Sequence, residues 1–193
     1  MKPALTFLRP VLVLFAALTL ICCVLYPFAM AGIGRLAFAD QVQGSLVERN
    51  GRVVGSSLIG QYFHSPKYFW GRPSATAPMP NNAAASSGSN LGPTNPAFLD
   101  AVKARIEALK AADPGNAAPV PVDLVTASAS GLDPEISLAA AHYQSGRIAR
   151  ERGMPVEEVR ALIDRHGIAP YFGLFGEPRV NVLAINLALD ERR

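Results

Sequence analysis

Residues 10 to 34 form an unbroken run of 25 positions without a charge, bounded by Arg9 and Arg35. A helix of that length reaches ~37 Å at ~1.5 Å per residue, enough to cross a ~30 Å hydrocarbon core with some tilt. The run therefore reads as a transmembrane helix. It divides the chain into a basic N-terminal tail at 1–9, a span at 10–34 and a soluble part at 35–193. Pro27 is expected to kink or end the helix near its far side, which a span tolerates. The rival reading is a cleaved signal peptide, with Lys2 and Arg9 as its basic region and Ala37-Phe38-Ala39 before Asp40 as its cleavage site. Signal peptides usually carry an apolar region of about 7–15 residues, so the longer run favours an uncleaved anchor. Lys2, Arg9 and the α-amino group precede the span and Arg35 alone follows it closely. The positive-inside rule then favours a cytoplasmic N-terminus and an extracytoplasmic soluble domain.

The remaining length suits one domain with accessories. Both cysteines, Cys22 and Cys23, sit inside the span, so no disulfide holds the soluble part together. The net charge of +3 is scattered, without a basic block or an aromatic-basic stripe, which argues against a nucleic-acid partner.

Within the soluble part, Asn50-Gly51 lies between two β-prone runs and suits a two-residue hairpin turn. Tyr62, Phe63, Tyr68, Phe69 and Trp70 follow closely; they serve as core caps or as a docking surface, and core is the favoured reading. No charge occurs from Pro73 to Leu99, and residues 73–97 read as a long uncharged loop rich in Pro, Asn, Ser, Ala and Gly. Asn95-Pro96 ends it as N-cap and first helical residue. Phe98, Leu99, Val102, Ile106 and Leu109 then recur at helical spacing up to Asp113-Pro114-Gly115. Val120 to Val125 reads as extended. Asp133-Pro134 repeats the cap signature, predicting a helix with Ile136, Ala140 and Tyr143 facing inward and Gly153 as its stop. Pro155 opens a third helix with Val156, Val159, Leu162 and Ile163 inward, closed by Gly167. In the final RVNVLAINLALD, the alternation of Leu183, Ile185, Leu187 and Leu189 predicts a strand. The fold class is α+β: a single N-terminal transmembrane helix followed by one mixed α/β soluble domain.

Val125 to Ser137, VTASASGLDPEIS, invites a chemical reading. A nucleophile elbow needs small residues two positions either side of a central Ser, and around Ser128 those positions are Thr126 and Ser130. The match fails. His64, His142 and His166 follow no signature, HExxH is absent, and no Gly-Lys pair exists for a phosphate loop. Gly32-Ile33-Gly34 with Ala37 fits a dinucleotide fingerprint but lies at the end of the span, out of its strand-to-helix context. Ser128, Ser130, Gly131 and free amides at a helix start could receive an anion, which Asp133 opposes. A turn whose hydroxyls satisfy backbone groups is the favoured reading. These tests indicate no catalytic residue and no metal ligand.

Five blocks in order behind the span carry a resemblance: GSSLIGQ from Gly55, FWGRPS from Phe69, SGSNLG from Ser87, TASASGLDP from Thr126 and GEPRVNVL from Gly176, continuing through Asn186-Leu187-Ala188-Leu189-Asp190. The chain resembles the KdpC family, the C subunit of the Kdp-type potassium-transporting P-type ATPase. The resemblance implies a non-catalytic subunit of a potassium uptake pump in the bacterial inner membrane. Its partners would be a channel-like potassium-conducting subunit and an ATP-hydrolysing P-type subunit. It also implies a chaperone role that raises ATP affinity, with Gln144 as the matching candidate for a nucleotide contact; no cofactor is bound by this chain alone, and ATP is shared with the hydrolysing subunit. The favoured reading of Gln144 is an exposed helix residue or an interface hydrogen bond. Ser145-Gly146 departs from the Val-Pro pair more usual in the family. Trp70, Arg72, Asn90, Asp133 and Asn181 are the candidates for contacts between subunits. The competing function class is an anchored or secreted extracytoplasmic enzyme or binding protein independent of a pump.

Overall fold

The computed structural model describes residues 2–192. The chain forms two compact units, Met1–Leu46 and Val47–Arg193. In the first, α1 (Lys2–Thr19) continues through a π-helical stretch (Leu20–Leu25) into α2 (Tyr26–Ala37). Phe7–Ala37 is long and apolar enough to cross a membrane, and none of it is buried within the protein. Of the two outcomes expected at Pro27, a kink or an end, the helix does not end there. Proline lacks the N–H for an i→i−4 bond, and the wide π turn just before it takes up the mismatch, with Tyr26 N–H donating to the Ile21 carbonyl. The helix breaks at Phe38, and a short α3 (Ala39–Val42) follows.

The expected hairpin forms: β1 (Leu46–Arg49) and β2 (Arg52–Ser56) pair across Asn50 and Gly51, with φ of 52° and 71°. Helix α4 (Pro96–Ala112) starts as predicted, the Asn95 side chain accepting from Ala97 N at 2.9 Å. Leu109 is buried and Val102 and Ile106 pack against the core, whereas Leu99, near the helix start, is exposed. The run expected to be extended contains a 3-10 turn at Val122–Leu124.

Two larger expectations fail for one reason. Asp133 does not cap a helix; its Oδ1 accepts from Glu135 N at 3.0 Å, closing a local turn, and strand β3 (Glu135–Ser137) follows. Ser137 caps α5 (Leu138–Arg152) instead, its Oγ accepting from Ala140 N at 3.0 Å. Likewise the C-terminal run is strand only over β5 (Arg179–Asn181) and then becomes α7 (Val182–Asp190), capped by Asn181 Oδ1 on Ala184 N at 3.0 Å. Val182, Ile185, Asn186 and Leu189 are buried at the i, i+3, i+4, i+7 spacing of a helix face. Each cap residue thus ends a strand and starts a helix, and β3 pairs antiparallel with β5 in the register Ile136↔Val180.

Between them α6 (Val156–His166) packs on α5, and β4 (Gly167–Ile168) completes an antiparallel sheet of order β3-β5-β4. Gly153, at φ 65°, ends α5 as predicted, and Val159, Leu162 and Ile163 of α6 are buried. Ser145-Gly146 leaves α5 uninterrupted, Ser145 Oγ donating to the His142 carbonyl at 2.7 Å. The core lies between the sheet and these helices, with Phe69 from the long connecting segment fully buried in it.

Candidate subunit-interaction site

Gln144 and Arg147 are one helical turn apart on α5, and so share a face. That face is turned inward. Gln144 is 1% exposed: its Oε1 accepts from Trp70 N at 2.8 Å, and its Nε2 donates to the Trp70 carbonyl at 3.1 Å and to the Ala140 carbonyl at 3.3 Å. Asn186 of α7 does the same for the preceding residue, accepting from Phe69 N at 2.8 Å and donating to the Phe69 carbonyl at 3.0 Å. In an extended chain, successive residues direct their backbone groups to opposite sides. Two side-chain amides from two helices thus replace the neighbouring strands that residues 69 and 70 lack.

The expectation that Gln144 is exposed is therefore overturned, because the backbone it satisfies runs directly over α5. Arg147, 2% exposed, closes the arrangement. It donates to the Pro66 carbonyl at 3.0 Å, the Tyr68 carbonyl at 3.1 Å and Gln144 Oε1 at 2.6 Å, and its guanidinium lies 4.0 Å from the centre of the Trp70 ring. Burial pushes its pKa down to about 10, against the opposing field of Asp113. A buried cation that pairs with no carboxylate among the described residues is tolerated here because neutral acceptors and an aromatic face replace water.

Two residues beyond Trp70, Arg72 pairs with Asp133 at 3.0 Å, and Arg179 pairs with Glu135 at 2.7 Å. Asn181, besides capping α7, donates to the Ser57 carbonyl at 2.8 Å. Asn90 is exposed, at φ 49°, outside this cluster of bonds. The structure thus brings Trp70 to Gln144 and Arg72 to Asp133. Sequence reasoning missed Arg147 and Asn186. Asn186 did leave a signal, being the one polar residue within the apolar run 182–189.

The VTASASGLDP stretch is the expected turn. Ser128 Oγ accepts from Gly131 N at 2.9 Å and Ser130 Oγ from Leu132 N at 3.1 Å, so amides an anion would need are already engaged. No helix begins at Pro134, which also removes the positive end that reading required. Gly131 has a φ of +67°, and a Cβ there would lie 2.6 Å from the Ser87 carbonyl oxygen. The uncharged loop wraps this turn: Ser74 Oγ donates to the Gly131 carbonyl at 2.7 Å and Ser87 N to the Ser130 carbonyl at 3.0 Å. Together with Gly60 N on the Leu132 carbonyl, at 2.8 Å, and Val182 N on the Pro134 carbonyl, at 2.9 Å, these bonds join segments from five separate parts of the sequence.

The family described as KdpC, the c chain of the K+-transporting ATPase, matches residues 8–191. The chain belongs to the KdpC family. The potassium-transporting ATPase KdpC subunit of Herminiimonas arsenicoxydans is 74% identical over 184 residues, covering 95% of this chain and 97% of that protein. The corresponding subunit of Janthinobacterium sp. (strain Marseille) is 73% identical over the same share of each chain. That of Variovorax paradoxus is 67% identical over 183 residues, covering 95% of each. The five blocks on which the KdpC resemblance rests are the segments that meet around the 126–134 turn and β5.

Proposed function

We propose that this chain is a non-catalytic accessory subunit of a high-affinity, ATP-driven potassium uptake pump of the bacterial inner membrane. Its helix anchors it as a single-pass protein, and its soluble domain is required for assembly with a channel-like potassium-conducting subunit and an ATP-hydrolysing P-type subunit. The observation that carries this reading is the KdpC family match along nearly the whole chain. The buried polar side chains support it: Gln144, Arg147 and Asn186 all bind the domain's own backbone, an investment in presenting a fixed surface. Trp70, Arg72 and Asp133 would be the centre of that surface, flanked by Asn181 and by Asn90 on the loop. The domain is extracytoplasmic, following the charges at Lys2, Arg9 and Arg35. Gln144 then influences ATP affinity as a positioning residue, through Trp70 and across subunits by linkage, rather than by touching nucleotide.

Sidedness and assembly test the reading together. In a chain with Cys22 and Cys23 replaced by Ala, single cysteines at the exposed positions Ser89 and Ala118 should react with a membrane-impermeant thiol reagent in cells whose outer envelope alone is permeabilised. The tagged chain should also bring down both larger subunits, identified by mass spectrometry, in mild detergent. Labelling that waits for rupture of the inner membrane would overturn the sidedness. Recovery of the chain alone would overturn the assembly role.

A further inference from the structure

A cleft of ≈ 390 Å³ lies between the 61–74 segment, Asn81 of the uncharged loop, and α4. That volume falls within the roughly 300–1,000 Å³ range of small-molecule sites. Its lining holds Arg72, Arg105 and His64 and, among the described residues, no Asp or Glu. Arg105 donates Nη1 to the Val125 carbonyl at 2.8 Å, and no carboxylate among the described residues pairs with it. Arg72 uses Nη1 on Asp133, while its Nε is buried without an acceptor. Burial lowers the pKa of Arg105, as for a cation partly withdrawn from water without a counter-ion. The rest of the wall is largely apolar, from Phe63, Trp70, Leu109 and Leu124.

We propose that this cleft binds an amphiphilic anion, a phosphate-ester or carboxylate head facing Arg105 and Arg72 with an apolar stem along Phe63, Leu109 and Leu124. Guanidinium groups favour these heads because they offer paired N–H donors to two oxygens. The apolar wall favours a stem over a bare ion. A free organic acid or phosphate ester and a membrane lipid share this chemistry.

Trp70 is the only tryptophan in the chain and lines the cleft, so its emission reports occupancy. The full chain in uncharged maltoside detergent is titrated with octyl phosphate, octanoate, octyl glucoside and inorganic phosphate. Octyl phosphate and octanoate should give saturable changes, with inorganic phosphate at least roughly tenfold weaker for want of a stem. Arg105→Gln should weaken octyl phosphate by roughly tenfold or more, a charge-assisted hydrogen bond being lost. Ala108→Leu, at the exposed rim of the cleft, keeps both arginines and should also weaken it; this variant decides the matter if Arg105→Gln does not fold. Competition by phosphatidic acid in otherwise neutral nanodiscs identifies the lipid as the source, and its failure to compete identifies a soluble anion. Equal binding of octyl glucoside, or affinity unchanged in either variant, would overturn the proposal.

Discussion

The buried polar centre and the exposed apolar tip at residues 170–176 reverse the usual placement of side chains. At the centre, Gln144, Arg147 and Asn186 lie inside the protein and each bonds the backbone of residues within 66–70. At the tip, Tyr171, Phe172, Leu174 and Phe175 all face solvent, Phe172 at 98% exposure. Order at the tip comes from the main chain. Tyr171 and Phe175 exchange N–H···O bonds of 2.9 Å in both directions, and Phe172 and Gly173 adopt φ of 54° and 72° to close the loop. Order at the centre comes from side chains that substitute for missing main-chain partners. Substitution should therefore be costly at the centre and nearly silent at the tip.

The largest effect is expected for Arg147→Met. It keeps much of the packing volume but leaves the part-buried Pro66 and Tyr68 carbonyls without a donor, at a cost of about 3 kcal/mol. Urea unfolding of the detergent-solubilised chain, followed by circular dichroism, measures this. A loss below about 1 kcal/mol would mean that the centre does not depend on its cation. Gly131→Val should follow at about 2 kcal/mol or more, because a β-branched residue is strained at φ +67° and its Cβ meets the Ser87 carbonyl. Wild-type stability in this variant would show that the turn relaxes freely. Ser128→Ala, three residues before, removes only the acceptor for Gly131 N and should cost about 1 kcal/mol. Loss of transport with the complex intact and stable would instead assign that hydroxyl a chemical role. Phe172→Gly defines the floor. Relief of the left-handed backbone offsets the extra freedom of the unfolded chain, so the unfolding midpoint should move by no more than about 2 °C. A drop comparable to that of Arg147→Met would break the contrast between the two regions.

What the sequence disclosed depended on how local the deciding interaction is. The hairpin at Asn50-Gly51, the cap at Asn95-Pro96 and the helix stop at Gly153 are each settled within about four residues, and all were legible. The run from Val182 was not. Its leucines and isoleucine alternate, but Val182, Ile185, Asn186 and Leu189 fit a helix face equally well, and pairing of β5 with β3 across 44 residues decides where strand gives way to helix. Asp133 was misread for the same reason: Asp-Pro has the same appearance before a strand as before a helix. Gln144 was recognised as notable, but its partner is the backbone of a residue 74 positions earlier, which nothing in the pattern around α5 reveals.

The bonds that hold residues 57–70 reach very late into the chain. Phe69 meets Asn186 at a separation of 117, Tyr68 meets Asp190 at 122, and Ser57 meets Asn181 at 124. At ~5–20 residues per second of synthesis, roughly 6–25 s separate the emergence of the two halves of each pair. The aromatic segment therefore spends that interval without the amide that will hold Phe69. Such long loops close slowly, so the domain becomes native only after translation of α7. During those seconds the N-terminal helix is already available to the membrane, so its insertion does not have to wait for the domain to be complete.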